Sequence, residues 1–220
     1  TAWSAAWLQT TGMSEISVER GADGALTLVQ TDPRPHRLTV GLYALERGRL
    51  EPRAAVEVDA AGARTPLAAT AGEDIVLIVP NVDDRTYAKV RLDAASTQTV
   101  AQHLSTIEDA TTRAVVWAAL WNATRDGLLP AARYLEIVAQ HAPHEPNAAL
   151  LADALGRADF AIGHYARAAD RTALAAQWLA TTAAALTQAE AGSDAQLAWA
   201  RAFGAAATRC DDRAVEIRDM

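Results

Sequence analysis

Five histidines, His36, His103, His141, His144 and His164, are the side chains through which this 220-residue chain could bind a metal or move a proton near neutral pH. A zinc hydrolase sets two histidines one helical turn apart with a glutamate beside them, H-E-x-x-H. None of the five stands in that pattern. His141 and His144 come nearest, three apart and followed by Glu145. Pro143 and Pro146 break the helix that would align them, which favours a helix-ending loop over a ligand pair. His164, with Tyr165 and Asp159, reads as helix surface.

Other chemistry is equally thin. Cys210 lies at an expected helix start, where a thiol pKa can fall, but Asp211 and Asp212 oppose that shift. Asn81, Asp83 and Asp84 suggest a calcium loop, yet the run lacks the glycine and distal glutamate of an EF-hand and reads as a solvated turn. Trp117 and Trp121 share a helix face that could stack on a ligand, and core packing is the better use. No glycine-rich phosphate loop and no G-x-S-x-G elbow occurs. The sequence therefore offers no catalytic residues and no metal ligands of its own.

Composition narrows the partners. The formal charge of −7 opposes a nucleic-acid role, which normally shows a concentrated basic face. No apolar run reaches the roughly 18 residues that suggest a membrane span, so no membrane partner is expected. Cys210 is the only cysteine, which precludes an intrachain disulfide and fits a cytoplasmic setting.

The elements that must position any site fall into two blocks. Alanine supplies 15 of the first 92 residues and 38 of the last 128, while nine of fourteen valines lie in the first block. Valine with frequent turn residues favours strands, and alanine favours helix. Ile16 and Val18 alternate, then Leu26 and Leu28, then Leu38, Val40 and Leu42. Asp23-Gly24 is a hairpin signal between the first two runs, and Ala61-Gly62 marks a turn after Val56 and Val58. Asp74–Val79 suits a central strand, and Tyr87 to Leu92 alternates once more. The expectation is α+β: a small antiparallel β-sandwich of about seven short strands over 14–92, then an all-α, HEAT-like array over 93–220. Its helices are marked by Val100 to Ile107, by Asp109 onward, by Pro130 in a first turn and by Asn147 as a cap. Two more run from Arg171 to Gln188 and from Asp194 to Thr208.

Both ends look severed. Trp3, Trp7 and Leu8 share one face of a short helix stopped by Gly12, and two indoles on so short a helix need a partner surface. Residues 1–13 are read as the remnant of a preceding domain, with Trp3, Trp7 and Leu8 as the docking residues. Asp211 and Asp212 begin a last helix that carries Val215 and Ile217 and stops at Met220.

Taken jointly, several segments resemble a known family. The opening W-x-x-x-W-L-x-T-x-G resembles the last helix of the catalytic domain in M1-family zinc aminopeptidases of the aminopeptidase N type. Asn81 to Asp93 is similar to the strand that closes their β-sandwich in a bacterial, actinobacterial-looking variant. Pro35-His36-Arg37 with Gly41-Leu42-Tyr43 resembles the same sandwich. Arg113 to Gly127, with Trp117, Trp121, Arg125 and Asp126, resembles an early helix of their C-terminal domain. The resemblance implies an enzyme that removes N-terminal residues from peptides with one zinc. Its zinc ligands, general base and N-terminus-recognising glutamate lie upstream of Trp3, so this chain alone is expected to carry no cofactor and no activity. The partner it implies is the chain's own catalytic domain, over which the helical domain closes to restrict an internal chamber for the peptide substrate.

Two other classes compete. A self-contained sandwich plus helical scaffold that binds a protein or peptide predicts Trp3 and Trp7 packed within the chain. Docking on a catalytic domain predicts an exposed apolar patch instead. A carbohydrate-binding sandwich ranks last, with only Tyr43 and Tyr87 as strand aromatics.

Overall fold

The computed structural model describes residues 2–210. The chain forms two compact units, the first running through Asn122 and the second beginning at Ala123. Expectations for the helix after Asp211 lie outside the described residues.

In the first unit, a short helix α1 (Ala2–Leu8) precedes seven strands: β1 (Glu15–Arg20), β2 (Ala25–Thr31), β3 (His36–Glu46), β4 (Arg49–Ala60), β5 (Arg64–Thr70), β6 (Ile75–Val79) and β7 (Lys89–Val90). They form a four-stranded sheet in the order β5-β2-β1-β7 and a three-stranded sheet in the order β4-β3-β6. Alternation decides which face is inward. Ile16, Val18, Leu26 and Leu28 are buried on the first sheet, and Leu38, Val40, Leu42 and Leu77 on the second. The Asp23-Gly24 turn joins β1 and β2 as the sequence suggests.

Three features depart from the sequence reading. The strands are not uniformly short, because β3 and β4 form one hairpin of 11- and 12-residue strands. Arg47 and Gly48 make its two-residue turn with φ of 48° and 79°, as a type I′ turn requires. The final strand contains two residues and not the six that alternate, because Asp93 immediately starts a helix. The sheet is also not wholly antiparallel, since β7 runs parallel to β1 at its outer edge.

Helices α2 (Ala94–His103) and α3 (Ala110–Arg125) complete this stretch of chain. Asp93 caps α2 by accepting from the Ser96 amide at 2.6 Å, and Asp109 accepts from the Thr112 amide at 2.6 Å. Helix α2 lies along β6. The Ile78 amide donates to Ser96 Oγ, and Thr99 Oγ1 donates to the Val76 carbonyl, each at 2.9 Å. These bonds satisfy an edge that would otherwise be a template for another strand.

The second unit holds α4 (Ala131–His141), α5 (Ala148–His164), α6 (Arg171–Gln188) and α7 (Asp194–Ala207). Pro130 stands just before α4 and not in its first turn, while Asn147 caps α5 through the Ala149 and Leu150 amides. Ser193 caps α7 through the Gln196 amide. Trp178 and Trp199 are buried, as are Ala175 on α6 and Ala198, Ala202 and Ala206 on α7, so the faces these helices bury combine large indoles with small side chains. Beyond sequential neighbours, α4 meets α6 and α5 meets α7.

Candidate functional site

Two places in the first unit gather polar side chains. One ties the N-terminal segment to the sandwich. Arg34, between Pro33 and Pro35, is buried and donates to the Gly12 and Thr11 carbonyls at 2.7 Å each, and to Thr10 Oγ1 at 3.0 Å. Trp7 packs edge-on against His36, with ring centroids 5.1 Å apart and planes at 85°. His36 Nδ1 lies 2.6 Å from Thr86 Oγ1. Burial, and then the charge of Arg34, push the His36 imidazole below its ordinary pKa, which favours the neutral ring. Of the expected docking residues, Trp7 is thus half-buried on its own sandwich and Leu8 is 74% exposed. The side chain of Trp3 lies outside the described residues.

The other place is a cleft of about 750 Å³ on the outer face of the three-stranded sheet. Its floor is Gly41, Tyr43 and Val82, its walls are residues 49–55 of β4 and the segment 106–112 before and into α3. Gly41 is there because a Cβ would come within 2.9 Å of the Tyr43 ring and 3.0 Å of Val82 Cγ2. Burial raises the Tyr43 hydroxyl above its usual pKa against an opposing hydrogen bond with Thr112, and the nearby Asp109 and Asp83 charges add smaller rises. Four carboxylates, Glu51, Asp83, Glu108 and Asp109, line the cleft against two guanidiniums, Arg49 and Arg53. Both guanidiniums already have partners: Arg49 sits 3.7 Å from Glu51, and Arg53 pairs with Glu46. Glu51 is thus matched by Arg49, and Asp83 by Arg85, which leaves Glu108 and Asp109 as the acidic side of a cleft with an aromatic floor. Sequence reasoning missed it, because its members are brought together by a hairpin and a helix start far apart in the chain.

The residues singled out for chemistry do not assemble. His141 ends α4 and is buried, and His144 follows in a 3-10 turn. His164 stacks on Phe160 at 3.7 Å, and Asp159 is held by two bonds from Arg209. Asn81, Asp83 and Asp84 form a turn whose two aspartates are exposed, as a solvated turn expects, and which internal bonds also hold. Asn81 is buried at φ 56°, donates to Thr86 O and accepts from the Thr86 amide, while Asp83 accepts from Thr39 and pairs with Arg85. Trp117 is buried. Cys210 is half-buried. Among the described residues no three of His, Cys, Asp and Glu stand together as a possible metal-ligand group. Among them, too, no helix is long and apolar enough to cross a membrane.

Comparison with known proteins supplies what the site does not. The ERAP1-like C-terminal domain family matches residues 77–218. The chain belongs to this family. The match opens within β6, so it takes in the end of the sandwich and the helices that follow. Aminopeptidase N of Streptomyces lividans is 38% identical over 225 aligned residues, covering 93% of the chain. That similarity carries the family relationship back across the earlier strands. The chain spans about a quarter, 26%, of the length of this relative. It is thus a region homologous to the C-terminal part of an aminopeptidase N, with the two-sheet and helical architecture that the resemblance implied.

Proposed function

We propose that this chain is the non-catalytic C-terminal region of a cytoplasmic zinc aminopeptidase that removes N-terminal residues from peptides. In this reading the sandwich and helices pack on a catalytic domain and help to enclose the chamber that holds the peptide. The observation that carries it is the 38% identity across 93% of the chain to an aminopeptidase N of which it covers 26%. The residues present do not fit a zinc ion, since the described ones include no possible ligand group of three. No step of peptide hydrolysis is therefore assigned to them.

The test compares the purified 220-residue chain with the longer polypeptide encoded by the reading frame around it. The longer protein should contain H-E-x-x-H and release an aminoacyl chromophore, with loss of activity on adding a zinc chelator. The shorter chain should release none. Zinc-dependent release by the shorter chain, or a start codon immediately before Thr1, overturns the reading.

One observation favours a second reading, a self-contained interaction module. Trp7 meets His36 and Arg34 of its own sandwich, so this indole finds a partner within the chain. A start codon before Thr1 would support that alternative.

A further inference from the structure

The four sheet edges are not equally protected. Helix α2 bonds to the outward groups of β6, β7 contains two residues, and β5 carries Pro66 opposite a register shift in β2. Strand β4 differs. It has its own Pro52 and a bulge at Arg53, but from Ala54 to Ala60 its pairing with β3 is unbroken. Nothing in the sheet order lies beyond it. Near its start the Leu50 amide is satisfied by Thr106 Oγ1, which leaves the later stretch as the open one.

Backbone direction along this stretch follows from one bond. The Thr39 carbonyl accepts from the Val82 amide, on the side of β3 away from β4. Thr39 pairs with Glu57, so that pair is the non-hydrogen-bonded type, and the N–H and C=O of Glu57 point outward. Alternation gives the same direction to Ala55 and Asp59. Their side chains share the outer face with Gly41 and Tyr43, the floor of the acidic cleft. A residue added opposite Ala55 would project over the space that Ala55 and Gly41 leave empty, toward the wall formed by Glu108 and Asp109. The intervening positions would lie beside Ala54, Val56 and Val58.

We propose that the β4 edge from Ala55 to Asp59, with the cleft beside it, binds an extended peptide segment that alternates basic and apolar residues, by strand addition. Charge selects the basic face. Arg37 and Arg85 already bind Glu57, and Arg37 lies 3.9 Å from Asp59. The preference therefore rests on Glu108 and Asp109 across the cleft from Ala55, and the cleft's two arginines are themselves paired. The backbone bonds supply register, and the carboxylates supply preference.

The probes are three capped synthetic peptides of about seven residues, a usual strand length. One alternates valine with arginine, one valine with glutamate, and one is the arginine peptide N-methylated at its edge-facing amides. The readout is the amide NMR spectrum of the 220-residue chain. The arginine peptide should shift and saturate the amides of Ala55, Glu57 and Asp59, and the other two should not. Glu108→Gln with Asp109→Asn keeps an asparagine able to cap α3 and should weaken binding about threefold to tenfold. Ala55→Pro should abolish binding, and if that variant misfolds, the N-methylated peptide tests the same bonds. Equal binding of the glutamate peptide, unimpaired binding of the N-methylated one, shifts confined elsewhere, or none at millimolar peptide each overturns the proposal.

Discussion

Arg34 lies over the indole of Trp7, its guanidinium carbon 5.4 Å from the ring centroid. The same guanidinium binds the carbonyls of Thr11 and Gly12. One buried cation thus fixes both the helix α1 and the strand-entry segment that follows it. The planar fork suits this role, because it can face a ring while its edges donate to several acceptors.

Removing that fork should release the N-terminal segment. Arg34→Ala is expected to cost about 2–3 kcal/mol, since three acceptors lose a charged donor. Arg34→Lys should recover little, because a single ammonium cannot reproduce the fork. Urea denaturation followed by far-UV circular dichroism checks the energy. A midpoint unchanged in Arg34→Ala contradicts the assignment.

Stability should depend on pH through His36. Its folded pKa lies below the ordinary 6.5, so the unfolded chain takes the proton more readily. The contribution is whole above about pH 6.5 and is lost progressively as pH falls toward the depressed folded value. Glu19 and Glu57, also held low by arginines, lose theirs only as pH falls beneath the ordinary carboxylate value of 4.5. A Tm series from about pH 7 to about pH 5 should therefore fall in the wild type and be flatter in His36→Gln.

Gly41→Ala should destabilise the first unit by about 1–3 kcal/mol, the usual cost of overpacking. The new methyl would press on Tyr43 and Val82, and Val82 is tied by its amide to Thr39 and cannot easily withdraw. Near-ultraviolet circular dichroism would report the displaced tyrosine, and calorimetry the loss of stability. A neutral variant would show that Val82 yields.

Asp93→Ala should cost about 1 kcal/mol by uncapping α2. Asp93→Asn should cost less, since its side-chain oxygen can still accept from the Ser96 amide. Equal midpoints for the alanine and asparagine variants in chemical denaturation would argue against the capping bond.

Much of the architecture could be read from local pattern. Asp109 and Asn147 open α3 and α5 as caps, and the limits of α6 at Arg171 and Gln188 are those the sequence indicates. The long β3–β4 hairpin was not legible. Its turn is Arg47-Gly48, and arginine rarely takes a positive φ, so no turn signal marked it. The parallel placement of β7 was hidden as well, because a strand's partner is a nonlocal choice. Asn81 looked like a polar turn residue, yet it is buried and bonded to Thr86. The cleft was invisible for the same reason as β7: Tyr43 and Asp109 meet only after folding. Arg34 gave one faint signal, a lone arginine between two prolines.

The two hydroxyls that α2 lends to β6 also bear on how the protein can be cut. A polypeptide ended at Leu92, where the composition changes, would lose Ser96 and Thr99 and leave Ile78 and Val76 with bare outward groups. The apolar run from Ile75 to Val79 would then be an adhesive margin on an otherwise intact sandwich. Helix α2 serves the strands as a seam, and anyone dividing this chain for expression should keep that seam with the sandwich.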